Sequence, residues 1–117
     1  MATDLIDNNL QNNNTITTIA IIYTTVAKKA DATDMAKKVI TAKLAACVNI
    51  IPKVISIHLW QGELKKDKEC VVVFKTTPDK QEELMNWISH NHPYEVPAIM
   101  VGSVNANDAF LQHLRQV

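Results

Sequence analysis

The 117-residue chain has few of the residues from which phosphate sites are built. It contains only two glycines, Gly62 and Gly102, and a single arginine, Arg115. An acyl phosphate hydrolase, or another enzyme that acts on phosphate groups, needs a loop whose backbone approaches the phosphate and an arginine close to it. The scarcity of both residue types weighs against this class of enzyme, and the sequence contains no other catalytic motif.

Aromatic residues make up only 5% of the chain, and twelve basic residues are balanced by twelve acidic ones. A nucleic-acid-binding sheet needs stacked aromatic side chains and a basic face. An anionic membrane surface attracts an excess of positive charge, and a membrane span needs roughly 20 consecutive apolar residues. The sequence has none of these features, so we expect neither a nucleic-acid partner nor a membrane association.

Cysteine is also scarce, since Cys47 and Cys70 are the only two in the chain and could form at most one disulfide. A chain with 47% hydrophobic residues can build its core without such a bridge. We therefore expect both thiols to be reduced. The N-terminus lacks a basic segment followed by an apolar one. Together these features predict a cytoplasmic protein.

The first 14 residues differ in composition from the rest of the chain. Residues 1–14 include five asparagines and almost nothing that could be buried. Such a composition predicts a disordered tail. Residues 15–117 are long enough for one hydrophobic core and too short for two. We therefore predict a single domain over 15–117.

The first half of this domain predicts a strand, a helix and a long strand. A β-branched run at 15–24 fits the strand. The helix is predicted to begin near Asp31 and to end near Cys47. Its apolar stripe recurs at i, i+4, i+7 and i+11: Met35, Val39, Ala42 and Ala46. A second strand covers 48–60, where Pro52 indicates an edge position or a bulge because proline has no N–H to donate.

The second half predicts a returning strand, a helix, a strand and a short final helix. The turn around Gly62 leads into a strand at 69–76. Thr77 can cap the next helix, and Pro78 suits its first position. The apolar stripe of this helix consists of Leu84, Met85 and Ile88. A fourth strand is predicted at 97–104, and the last helix opens at Asn107 or Asp108.

The order strand, helix, strand, strand, helix, strand is that of an α+β ferredoxin-like fold, the split βαβ arrangement, here with an extra C-terminal helix. This fold puts two helices on one face of an antiparallel sheet. Because these strands are apolar on both faces, the other face would be an exposed apolar patch, which favours an oligomer that packs sheet against sheet. The strand at 48–60 would span about 43 Å at about 3.3 Å per residue, enough to overhang a neighbouring subunit.

Four sequence blocks carry a family resemblance. They are residues 43–52 (KLAACVNIIP), 60–63 (WQGE), Glu69 with the later Lys75-Thr76-Thr77, and 92–99 (HPYEVPAI). In order and spacing they resemble the CutA family, the divalent-cation tolerance proteins, over roughly residues 16–114. The resemblance implies a PII-like homotrimer whose long hairpin reaches into the neighbouring subunit. It also implies a role in tolerance of, or response to, divalent metal ions such as copper, through binding rather than catalysis. A PII-like small-molecule signalling protein is the alternative.

Three residues are candidate metal ligands: His90, His92 and Cys47. Imidazole and thiolate suit copper or zinc, but the favoured interpretation is that the histidines are polar surface residues and the cysteine is a small apolar core residue. The resemblance implies a copper site made by a cysteine at the end of the first strand and two consecutive histidines. This chain has Thr24, Asn91 and His92 at those positions. We therefore expect copper or another divalent metal to bind weakly, and no firmly held cofactor.

A second group of candidates is implied by the resemblance: Trp60, Glu69, Lys75 and Tyr94, close to His92. In trimers of the CutA family the matching positions gather near an intersubunit cleft, where a small ligand or a divalent ion would bind. A buried Glu69–Lys75 ion pair of purely structural role is an equal alternative. The family commonly has glutamate at the position of Ala98, so this chain lacks one carboxylate there.

Overall fold

The computed structural model describes residues 17–117. The predicted tail over 1–14, and the first two residues of the predicted first strand, lie outside the described residues. The elements follow in the order β1 Thr18–Val26, α1 Lys29–Thr41, β2 Cys47–Trp60, β3 Glu63–Thr76, α2 Gln81–Asn91, β4 Ile99–Asn105 and α3 Asp108–Arg115. A 3-10 turn, Pro78–Lys80, precedes α2.

The four strands form one antiparallel sheet in the order β2-β3-β1-β4. This order and the helices between the strands confirm the predicted α+β ferredoxin-like fold. Helices α1 and α2 cover one face, where Met35, Val39, Leu84 and Ile88 pack on Ile22 and Phe74. Val72 and Phe74 of β3 are fully buried there. The main core therefore lies between this face and the two helices.

Helix α1 ends at Thr41, six residues before the predicted end near Cys47. Lys43 adopts a left-handed conformation with φ of 61°, and the backbone N–H groups of Lys43 and Leu44 bond the carbonyls of Ile40 and Val39. These bonds satisfy the last carbonyls of the helix and turn the chain away from its axis. Ala46 consequently leaves the predicted helical stripe and packs on the other face of the sheet.

The hairpin of β2 and β3 is longer than predicted because β3 begins at Glu63 rather than Glu69. The two strands pair up to Trp60 and Glu63, and the turn residues Gln61 and Gly62 both have positive φ, as a tight two-residue hairpin turn requires. The predicted effect of Pro52 is confirmed on both counts. Strand β2 is an edge strand, and its pairing register shifts between Ile51 and Val54.

Helix α3 packs on the sheet face opposite α1 and α2. Leu111 and Leu114 are buried against Ile19 of β1, with Phe110 partly buried beside them. The sequence predicted this helix but not its position, and the second face is consequently covered at one end instead of bare. None of the helices within residues 17–117 is long and apolar enough to cross a membrane.

The end of the hairpin extends beyond the rest of the domain. The radius of gyration is 17.0 Å and the longest dimension is 54 Å, whereas a compact domain of this length has a radius of gyration of about 13 Å. Four large apolar side chains on one face of the extension are 56–75% exposed: Ile55, Ile57, Leu59 and Leu64. These four side chains form an exposed apolar surface, which we call the hairpin patch.

Candidate functional site

A cleft of about 630 Å³ opens on the sheet face opposite α1 and α2. Strand β1 contributes Tyr23 and Thr25, and β3 contributes Glu69. Alternate residues of β2, from Ser56 to Trp60, share this face because side chains at i and i+2 point to the same side of a strand. The segment 93–98 between α2 and β4 forms the remaining wall. The cleft therefore joins three strands and one loop.

The carboxylate of Glu69 is held in this cleft by hydroxyl groups. Its Oε2 accepts a hydrogen bond of 2.6 Å from the Tyr94 hydroxyl, and the hydroxyls of Ser56 and Thr25 lie on the same side and favour the charged carboxylate. Burial raises the pKa of Glu69, but the three hydroxyls and the nearby His58 outweigh burial and set that pKa below its usual value. At neutral pH Glu69 is therefore a fixed anion. Burial and Glu69 raise the pKa of Tyr94 far above its usual value, so its phenol stays protonated.

His92, at the end of α2, uses both ring nitrogens inside the protein. Its Nδ1 accepts a hydrogen bond of 3.0 Å from the backbone N–H of Tyr94. Its Nε2 therefore carries the proton and donates to the carbonyl of Thr25 at 2.9 Å and to the hydroxyl of Thr24 at 3.0 Å. Thr24 is fully buried and donates in turn to the carbonyl of Ala98 at 2.7 Å. Burial lowers the pKa of His92, with partial compensation from Thr25 and Glu69.

This network fixes the loop that walls the cleft. His92 and Thr24 tie both ends of the segment 93–98 to β1, and Tyr94 ties its middle to Glu69 of β3. The rings of His92 and Tyr94 also lie close, with centroids 4.9 Å apart. The cleft is therefore formed in advance of any ligand.

Of the predicted cleft residues, the structure brings together Trp60, Glu69 and Tyr94, but not Lys75. Lys75 lies on β3 six residues from Glu69, which is about 20 Å at about 3.3 Å per residue. Its Nζ sits 5.6 Å from the centre of the Phe110 ring on α3. The Glu69–Lys75 ion pair considered from the sequence is therefore not formed within one chain.

The candidate metal ligands are likewise separated. His90 is exposed on α2, with Nδ1 2.7 Å from the carbonyl of Asn86. Cys47 pairs with Lys75, which lies opposite Ile21 of β1. Ile21 is four residues, or about 13 Å, along the strand from the Thr25 carbonyl that His92 contacts. Cys47 and His92 therefore cannot bind the same ion within one chain. Residues 17–117 contain no group of three His, Cys, Asp or Glu side chains placed to hold a metal ion.

Six further residues that line the cleft were not predicted from the sequence: Tyr23, Thr25, Ser56, Pro93, Glu95 and Val96. Their placement depends on strand pairing. Trp60 was a predicted cleft residue, and side chains two and four positions away on the same strand share its face. This rule would have identified His58 and Ser56. His58 also lines the cleft, with its Nε2 3.6 Å from the carboxylate of Asp67.

A family model described as CutA1 divalent ion tolerance protein matches residues 20–117. The chain belongs to the CutA family. A divalent-cation tolerance protein CutA of Escherichia coli strain UTI89 is 36% identical over 92 residues, which cover 79% of this chain and 82% of the relative.

Solved CutA structures have the same fold. The divalent ion tolerance protein CutA1 from Ehrlichia chaffeensis has a TM-score of 0.83 at 34% identity, covering 87% of this chain and 96% of the other. A periplasmic divalent cation tolerance protein CutA from Archaeoglobus fulgidus has a TM-score of 0.79 at 29% identity, with coverage of 84% and 96%. These names specify tolerance of divalent cations and no chemical reaction.

The contact between Thr24 and His92 lies at positions that the family resemblance singled out. These two residues occupy the positions where the resemblance implied a cysteine and a histidine as copper ligands in some CutA proteins. Their side chains are 3.0 Å apart here. The side chain of Asn91, at the third position, donates to the Trp87 carbonyl at 2.8 Å. In this member of the family a hydrogen bond thus connects two of the three positions.

Proposed function

We propose that this CutA protein acts by binding, as a homotrimer that contributes to the tolerance of or response to divalent metal ions, and not as an enzyme. The observation that carries this proposal is the state of the three titratable groups in the cleft network. Glu69 is a weak base because its pKa is lowered, and Tyr94 remains protonated. His92 has both nitrogens occupied. General acid–base catalysis favours groups with a pKa near the working pH and a free position toward substrate.

The hairpin patch supports the trimer. Burying four apolar side chains that are more than half exposed would be strongly favourable at about 25 cal/mol per Å², and the extension is long enough to reach a second subunit. A native mass spectrum of protein purified without chelator reports the number of subunits and any retained metal or metabolite together. A monomer at micromolar concentration would contradict the proposed assembly.

For copper, we propose binding of micromolar or weaker affinity with His92 as the main ligand. Coordination would require His92 to give up a hydrogen bond to the Tyr94 backbone or to β1, which lowers its affinity for a metal. Calorimetry with Cu²⁺ tests this. We expect His92→Ala to abolish binding and the control His113→Ala, on α3, to leave it unchanged. Nanomolar affinity, or binding insensitive to His92→Ala, would place the site elsewhere.

The second candidate function is that of a PII-like small-molecule signalling protein. The preformed cleft favours it, since about 630 Å³ falls within the range of about 300–1,000 Å³ that small-molecule sites occupy. For the compartment we propose the cytoplasm, supported by two free thiols, Cys47 and Cys70. The Archaeoglobus relative is described as periplasmic, and fractionation of cells that express the full chain distinguishes the two compartments.

A further inference from the structure

The charge of the cleft is negative and is not neutralised by a basic side chain. Glu69 and Glu95 line it, and its lining in the described part of the chain includes no lysine or arginine. Lys29, Lys53 and Lys68 surround a smaller depression of about 210 Å³ on the other side of Glu69. Within residues 17–117 no lysine forms an ion pair with Glu69. Among the described residues that line the cleft, His58 is the one basic group, and it faces Asp67.

Aromatic rings form the other part of the wall. Tyr23, Trp60 and Tyr94 all line the cleft, and the Trp60 side chain is 51% exposed. The faces of aromatic rings carry negative potential and attract cations, most strongly for tryptophan. Because the Tyr94 hydroxyl holds the Glu69 carboxylate at 2.6 Å, that carboxylate can meet a ligand without rearranging. The cleft therefore combines an oriented anion with surfaces that favour a desolvated cation.

We propose that the ligand of this cleft is an organic cation, a small molecule that carries a protonated amine next to an apolar or aromatic body. The amine would lie against Glu69 beside Tyr94, and the body would extend along β2 toward Trp60, which pairs with Glu63, six residues along β3 from Glu69. This inference rests on the proposed binding function and specifies the class of ligand for the same cleft.

The geometry favours an organic cation over a bare metal ion. Hard divalent cations take about six or more oxygen ligands, whereas this cleft offers two carboxylates, of which Glu69 already accepts hydrogen bonds from hydroxyls. No group of three potential metal-binding side chains exists in the described residues. A phosphate-bearing or other anionic ligand would face Glu69 and Glu95 without a basic partner. Both alternatives therefore fit the cleft less well.

The test uses the full-length protein and three probes of nearly the same shape: benzylamine, benzyl alcohol and benzoate. In ligand-observed NMR titrations at pH 7.5, we expect benzylamine to bind at least tenfold more tightly than benzyl alcohol, and benzoate not to bind. Added salt should weaken benzylamine binding, since the charges are partly exposed. Equal binding of the alcohol, or preferential binding of benzoate, would overturn the proposal.

Variants locate the site. Glu69→Gln should weaken benzylamine binding at least tenfold, while the control Glu83→Gln should leave it unchanged, because Glu83 is an exposed carboxylate in the first turn of α2, on the opposite face of the sheet. Trp60→Leu should also weaken binding and Trp60→Phe should largely retain it. These two substitutions are at a half-exposed residue, so they test the proposal even if Glu69→Gln fails to fold. Binding insensitive to both Trp60→Leu and Glu69→Gln would overturn the proposal.

The alternative occupant of the cleft is the Lys75 side chain of a second copy of this chain. Lys75→Met removes that ammonium group, together with its contact to the Phe110 ring of the same chain, and keeps an unbranched side chain. If benzylamine bound only to Lys75→Met, the cleft would hold the neighbour's lysine and the proposal of a small-molecule ligand would be wrong. Unchanged benzylamine binding by Lys75→Met supports it. Native mass spectra of the same variants show whether a loss of binding comes with a loss of the assembly, which separates failure of this inference from failure of the proposed trimer.

Discussion

Thr24→Val is a substitution whose effects on stability and on the cleft can be separated. The two side chains have nearly the same shape, so the change removes the hydroxyl and little else. The Ala98 carbonyl loses its donor at 2.7 Å. His92 keeps its bond to the Thr25 carbonyl at 2.9 Å. Leaving one buried partner unsatisfied costs about 1–3 kcal/mol. Because Ala98 lies in an exposed segment, where water can replace the hydroxyl, we expect about 1–2 kcal/mol.

Thr76→Val is the matched control. Thr76 is also buried, and its hydroxyl donates to the Leu44 carbonyl at 2.7 Å. Leu44 is buried, so water cannot replace the lost donor as easily. We expect a cost in the upper part of the same range, about 2–3 kcal/mol. This contact lies between β3 and the loop after α1 and does not involve the cleft.

Two measurements distinguish the variants. Urea unfolding should show that Thr76→Val lowers the free energy of unfolding at least as much as Thr24→Val does. Hydrogen exchange of the Tyr94 amide, which bonds His92 at 3.0 Å, should accelerate only in Thr24→Val. A local loss of about 1–2 kcal/mol corresponds to roughly a 5–30-fold faster exchange. Equal acceleration in both variants would show that the loop follows global stability, and the reasoning would be wrong.

Three further predictions concern assembly, copper and pH. Replacing Leu59 of the hairpin patch with lysine should dissociate the assembly. In the wild type, thermal unfolding curves at several protein concentrations should give a melting temperature that rises with concentration and lies above the range of about 45–65 °C that is usual for mesophilic domains. Thr24→Cys should raise Cu²⁺ affinity in calorimetry at least tenfold, because it puts a thiolate beside His92. Because the pKa of His92 is lower in the folded protein than in the unfolded chain, the unfolded chain binds a proton more readily than the folded protein does. The free energy of unfolding should therefore fall as the pH drops below about 6.5, and the His92→Gln variant should not show this loss. Glu69 should add a second loss below about 4.5, absent from Glu69→Gln.

The fold was largely predictable because its local signals agree with one another. The β-branched first strand and the proline at Pro52 each limit the backbone to one kind of structure. The helix predicted to begin at Pro78 starts instead with a 3-10 turn, without a side-chain cap from Thr77, and becomes an α-helix at Gln81. Errors occurred where local preference was overridden. Residues 63–68 are mostly charged and gave no strand signal, yet they pair because β2 supplies a partner across a tight turn. Helix α1 ends at Thr41, before the left-handed Lys43, through backbone bonds that composition does not reveal.

The site was only partly predictable, because a cleft depends on register. Trp60 and Glu69 face the same cleft only because a bulge between Ile51 and Val54 adjusts the pairing of β2 with β3. A shift of one residue would turn every later side chain of β2 to the opposite face. Lys75 was grouped with Glu69 because both belong to one sequence block, but six residues of extended strand separate them.

The same register places the cleft and the hairpin patch on opposite faces of the hairpin. Beyond the bulge, Ser56 and Trp60 face the cleft, while Ile55 and Ile57 form the hairpin patch on the other side. The strand that supplies part of the cleft therefore also supplies the surface proposed for assembly, and its two faces can be altered independently. If Trp60→Leu impairs ligand binding and leaves the number of subunits unchanged, while Ile57→Lys does the reverse, then binding does not require assembly. If Ile57→Lys impairs both, the neighbouring subunit completes the cleft.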